Sequence, residues 1–267
     1  MIAPGELTVH TLADATGTTR IAELRQRYPQ RVTTALHSDV AYPRAAVLCV
    51  QSPSGGTFSD DDLQTTVRCA GGTHLHMTSQ AATQVFAGNG PGARHRLQFT
   101  VEAGAVLEYL PKTIIPQSDS TFAQSIELDV DDGGTYIGWD AIAAGRIAYG
   151  ERFRYATVDN AFTVRVQGRV IARDRQLITA RTGLDSDYLA TLLIVTPGLA
   201  PEPALAAVRT ALAGCAGVLG GAGELPHRAG VFARLTARRA PELNQVCRAL
   251  HAAARRSVLS PPIARSA

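Results

Sequence analysis

From Leu7 to about Thr179 apolar and polar positions alternate in short runs, the period-two pattern of half-buried β-strands. Ala46-Val47-Leu48-Cys49-Val50, Arg96-Leu97-Gln98-Phe99-Thr100-Val101 and Phe162-Thr163-Val164-Arg165-Val166 are representative. Between the runs stand Pro53-Ser54-Gly55-Gly56, Gly88-Asn89-Gly90-Pro91-Gly92, Asp131-Asp132-Gly133-Gly134 and Gln167-Gly168, residues that supply the positive or fixed φ of tight reversals. The pattern predicts a mainly β protein with an elongated sheet stack or β-sandwich-like body and no long helix in this stretch.

After Gly183 the period changes. Leu192-Leu193-Ile194-Val195 reads as a strand, and Pro201-Glu202-Pro203-Ala204 opens a helix that should end at Gly214 with Leu205, Val208 and Leu212 on one face. A second helix is expected from Pro241, with Leu243, Val246 and Leu250 on one face and Arg255 and Arg256 near its C-terminal end. Val231-Phe232-Ala233-Arg234-Leu235-Thr236 between them reads as a strand. The expectation is one domain over 1–267: a β body (1–180), a small α+β part (184–257) packed on it with each helix capping one side of the sheet, and a disordered tail (258–267).

Composition narrows the function. A chain of 267 residues, 45% hydrophobic, can build a sizeable core. Residues 1–10 lack the basic start and apolar stretch of a secretion signal, and the run 189–195 is far short of a membrane span, so a cytoplasmic location is expected. Cys49, Cys69, Cys215 and Cys247 form no C-x-x-C pair, against the usual thiolate zinc sites. Net charge is +3 with arginines interleaved among acids, which predicts neither nucleic-acid nor membrane binding. The only lysine, Lys112, follows Pro111, so no Walker A Gly-Lys pair exists.

The remaining candidates each have a plain structural alternative. Gly88-x-Gly90-x-Gly92 has the wrong spacing for a dinucleotide loop and precedes a strand; it reads as a turn. His74 and His76, two apart on a strand, share a face and could ligate a metal, but a cupin-type glutamate is replaced by Gln80, which favours two solvated histidines. No G-x-S-x-G, H-E-x-x-H or lysine nucleophile is present. The acids at 60–62, Glu108, Asp140, Glu151 and Asp174 could work in pairs, but no spacing selects one.

Taken in order, several blocks resemble the urease accessory proteins of the UreD (UreH) family: Ser52-Pro53-Ser54-Gly55-Gly56 with Asp61-Asp62-Leu63, Thr78-Ser79-Gln80-Ala81-Ala82-Thr83, Val85-Phe86, Leu107-Glu108-Tyr109-Leu110-Pro111, then Trp139-Asp140, Gly145-Arg146, Gly150-Glu151 and Phe153, and Arg173-Asp174-Arg175. They span 52–177, nearly half the chain. There are departures. The family's Gly-Gly-Asp loop reads Ser59-Asp60-Asp61, a lysine becomes Gln84, a tryptophan becomes Tyr109, and the turn after Ile115 reads Pro116-Gln117-Ser118-Asp119-Ser120.

The resemblance implies a non-enzymatic scaffold, with no catalytic residue and no tightly bound cofactor. Its implied partners are a UreF-like helical accessory protein, a UreG-like GTPase and apo-urease, with nickel in transit through an internal passage. Asp61, Asp140, Arg146, Glu151 and Asp174 are the expected transit or ion-network residues, with Arg146, Glu151 and Asp174 forming one internal network under the structural alternative. His74 and His76 are the metal candidates outside that set. Competing readings are a β-rich binding protein that kept the fold without urease partners, and a metal-dependent enzyme built on His74 and His76.

Overall fold

The computed structural model describes residues 5–181 and 185–259. Its strands are β1 (Gly5–Ala13), β2 (Thr19–Gln26), β3 (Arg31–Val32), β4 (Ala46–Gln51), β5 (Asp62–Cys69), β6 (His74–Ser79), β7 (Thr83–Val85), β8 (Ala93–Val101), β9 (Val106–Leu110), β10 (Ile114–Pro116), β11 (Thr121–Val130), β12 (Thr135–Ala143), β13 (Thr157–Val166), β14 (Arg169–Ile178), β15 (Tyr188–Val195), β16 (Val218–Glu224) and β17 (Gly230–Ala237). The helices are α1 (Glu202–Ala213) and α2 (Ala240–Val258). The predicted helices and strands are present; the sequence boundary at Gly183 falls outside the described residues.

Two sheets face each other. One has the order β14-β13-β11-β8-β5-β1-β2, the other β16-β17-β15-β12-β9-β6-β4-β3, with β7 and β10 at its side. Parallel neighbours cannot be joined by a tight hairpin. Here the chain makes each crossover by running a strand through the opposite sheet, so β4 to β13 coil as a solenoid-like stack. At one end the turns at 70–73, 102–105 and 131–134 lie on top of one another: Gly72 N donates to Gly104 O (3.2 Å), Gly104 N to Gly133 O (3.0 Å) and Gly133 N to Pro197 O (3.1 Å). Each has a glycine at φ +72 to +80° in the third position, where a side chain would be strained.

The sandwich interior holds two apolar clusters. The larger includes Leu7, Leu97, Phe99, Ile126, Leu128, Tyr136 and Leu193; the smaller includes Ala93, Phe122, Ile142, Val158 and Ile178. A third core lies on the outer face of the second sheet, where Ile137, Trp139, Leu192, Ala233 and Leu235 meet Leu205, Val208, Leu243, Val246 and Leu250. Both helices therefore cover the same face, in place of the expected one on each side, because the other face is occupied by the first sheet. β12 is consequently buried on both sides, which explains its nearly continuous apolar sequence. β15, β16 and β17 continue the second sheet outward from β12. Of the expected tail, Val258 closes α2 and packs with Leu259 against the outer core, while 260–267 lie outside the described residues.

Candidate functional site

On three adjacent strands of the first sheet the inward parity is apolar except at one level. On β8 it runs Ala93, His95, Leu97, Phe99; on β11 Phe122, Gln124, Ile126, Leu128; on β13 Val158, Asn160, Phe162, Val164. His95 is in register with Gln124, Gln124 with Asn160, and Asn160 with Gln176. In-register residues point the same way, so these four form a polar row across four strands, between the two interior apolar clusters. The facing sheet carries its own row at this level, Asp140 in register with Thr191 and Thr191 with Arg234. Together the rows make a polar seam through the sandwich.

The seam is hydrogen-bonded across the gap. Gln124 Nε2 donates to Asn160 Oδ1 (3.1 Å) and to Asp140 Oδ1 (3.4 Å), and Asn160 Nδ2 donates to Asp140 Oδ2. Gln176 Nε2 donates to Asp174 Oδ2 (3.3 Å) and Thr191 Oγ1 (3.2 Å), and Asp174 pairs with Arg234. Farther along, His95 Nε2 lies 2.9 Å from Thr65 Oγ1, which donates to Gln30 Oε1 at 2.7 Å. Burial pushes the Asp140 carboxyl up to about 6, against the lowering effect of the Asn160 and Gln124 amides. Burial pushes the His95 imidazole down to about 4.

Two cavities open on the seam. One of about 430 Å³ is lined by Asp140, Asn160, Asp174, Gln176 and Thr191 among apolar neighbours; one of about 80 Å³ is lined by Gln30, Thr65, His95, Gln124 and Asp140 among others. Asp140 lines both. The polar lining gives water the partners it needs. An enclosed carboxylate facing amides and hydroxyls can hold a cation weakly and release it, because oxygen donors bind borderline metals less firmly than thiolates or clustered imidazoles.

A sequence profile described as UreD urease accessory protein matches residues 3–266. The chain belongs to the UreD family of urease accessory proteins. It is 59% identical over 262 residues to the urease accessory protein UreD of Mycolicibacterium gilvum, covering 97% of this chain and 96% of that one. A urease accessory protein UreD of Streptomyces griseus is 30% identical over 246 residues, 87% of this chain and 84% of its own length, and that of Cenarchaeum symbiosum is 28% identical over 233 residues, 83% and 81%.

The UreD-type residues do not converge on one point. Asp140 and Asp174 meet at the larger cavity. Arg146 and Glu151 pair with each other on the β12–β13 connection, where Glu151 Oε2 also accepts from Ser118 N (3.3 Å), and neither lines the two cavities. The expected network of Arg146, Glu151 and Asp174 is thus two separate pairs, because Asp174 is inward-facing on β14 and finds Arg234. Gly145 keeps this connection tight: its φ is +129°, and a Cβ there would stand 1.9 Å from the Glu151 carbonyl oxygen. Asp61 accepts from Thr57 Oγ1 (3.1 Å) and Phe58 N (2.8 Å), closing its own turn away from the seam. In that turn Ser59 and Asp60 replace the family's glycines without adopting positive φ.

His74 and His76 do share a face, but α2 covers it, so they are not solvated. The glutamate missing from their own strand comes from the next one, since His76 is in register with Glu108 on β9. Glu108 is fully buried, accepting from His74 Nε2 (2.6 Å), His251 Nε2 and both Nε and a terminal nitrogen of Arg255 (2.7 Å each). Arg255 also reaches Asp39 at 2.6 Å. Burial alone would raise the Glu108 carboxyl, but the His251, His74 and Arg255 hydrogen bonds outweigh it and hold it far below the usual range. Asp39, His76 and Glu108 bring one ligand atom each within 4.8 Å of one another, yet the guanidinium of Arg255 already bridges the two acids.

Sequence reading missed His95, Gln124, Asn160, Gln176, Thr191 and Arg234. The available signal was a polar residue at the inward parity of an otherwise apolar alternation, repeated on successive strands.

Proposed function

We propose that this UreD-family chain acts in urease maturation as a non-catalytic scaffold, assembling with a UreF-like helical protein, a UreG-like GTPase and apo-urease in the cytoplasm and passing nickel along the polar seam. The observation that carries the reading is Asp140, a carboxylate enclosed by both sheets that lines a cavity on each side of itself. A passage for nickel needs donors that replace water without trapping the ion, and one carboxylate with two amides meets that need. The names of the relatives place them with urease, and the chain matches them over most of its length. GTP chemistry falls to the partner, since this sequence has no Gly-Lys loop.

The alternative of a metal enzyme at His74 and His76 loses support because every lone-pair direction of Glu108 is already used by His74, His251 and Arg255. Co-expression with the UreF-like and UreG-like proteins, followed by pull-down on this chain, tests the scaffold. Both partners are expected in stoichiometric yield. Recovery of the chain alone would favour the binding protein that kept the fold without its partners.

A further inference from the structure

The hydrogen bonds around Gln30 fix the tautomer of His95. Gln30 Nε2 donates to the carbonyls of Gly5 (3.1 Å) and Gln64 (2.8 Å), so Oε1 is the acceptor presented to Thr65. Thr65 has one hydroxyl proton and gives it to Gln30. Its oxygen, 2.9 Å from His95 Nε2, must then accept, so His95 carries its proton on Nε2. Nδ1 is left with its lone pair and has no hydrogen-bond partner among the described residues, and the ring lines the smaller cavity together with Asp140 and Gln124.

This is the arrangement of a metal-binding histidine, whose second nitrogen donates to a fixed acceptor that sets tautomer and ring orientation. We infer that His95 is a nitrogen ligand for a borderline divalent cation such as nickel in the smaller cavity, with Asp140 as the oxygen donor on the opposite sheet and Thr65–Gln30 as the supporting acceptors. The inference rests on the reading of the seam as an ion passage. It gives the passage a direction of chemistry: an ion leaving the larger cavity has only oxygen donors until Asp140, and its first nitrogen beyond. A single imidazole keeps the stop exchangeable, and Lys112 on the same lining opposes tight binding.

Thr65 separates this role from packing. Nickel alone is titrated into the full chain and into Thr65→Val and Thr65→Ser variants, with X-ray absorption recording imidazole scattering from the bound ion. Thr65→Val removes the acceptor at nearly constant volume and is expected to weaken nickel about 10- to 100-fold, as loss of a supporting hydrogen bond does; Thr65→Ser is expected to restore it, with imidazole scattering in both the parent and the serine chain. Equal affinity in the valine and serine variants, or bound nickel without imidazole scattering, overturns the assignment. The passage is judged separately by the nickel content of urease matured with Asp140→Asn: if that falls while Thr65→Val leaves nickel affinity unchanged, the passage stands without His95, and if neither changes, both readings fail.

Discussion

At the scale of single residues, Asp140 and Glu108 show opposite solutions to burying a carboxylate. Glu108 is compensated by a guanidinium and two imidazoles, whereas Asp140 has two neutral amides and the more distant Arg234. The charge on Asp140 is therefore a cost. Its folded-state pKa of about 6 lies above the ordinary 3.8, so the native state binds the extra proton between these values and stability falls as pH rises through that window. Asp140→Asn should accordingly be more stable than the parent at pH 7.5, by on the order of 2 kcal/mol after one amide loses its acceptor, with the gain fading below about pH 4. Urea unfolding at the two pH values checks this, and a less stable variant at pH 7.5 would contradict it. Position 140 was legible from the family blocks, but its surroundings were not, because a glutamine or asparagine in a strand carries no mark of the face it is on until register is known.

At the scale of elements, α2 is held by an apolar stripe and by one buried charge cluster. Val246 and Leu250 are fully buried, and His251 and Arg255, one turn apart, both reach Glu108 across the helix–sheet seam. Glu108→Gln leaves Arg255 short of a counter-charge and should cost about 3–5 kcal/mol, read as a lower urea midpoint. Because the Glu108 pKa is depressed in the fold, the parent should keep this contribution above about 4.5 and lose it as the pH falls below. An unchanged midpoint would mean that the helix docks by apolar contact alone. The helices themselves were readable, since Leu205, Val208 and Leu212, and then Leu243, Val246 and Leu250, follow helical spacing. What helical spacing does not encode is the face of the sheet that receives them, and both went to the outer one. The strands were readable by alternation, yet the stacking of the turns at Gly72, Gly104 and Gly133 was not, because the coils repeat in geometry without repeating in side chains.

At the scale of the whole molecule, the two apolar clusters and the seam between them explain why a sandwich of this size tolerates buried polar residues. Register places His95, Gln124, Asn160 and Gln176 at one level with Asp140, Thr191 and Arg234 on the facing sheet, Asp174 stands one residue pair away, and the apolar clusters lie on either side. The function proposed for the molecule depends on the seam, and Asp140 is the residue that lines the cavities on both of its sides. The most direct measurement is the nickel content of urease purified from cells that co-express the accessory proteins with either the parent chain or Asp140→Leu, the maturation complex being recovered from both. The account predicts an intact complex and a large drop, on the order of tenfold, in urease-bound nickel; undiminished nickel with Asp140→Leu in an intact complex would contradict it.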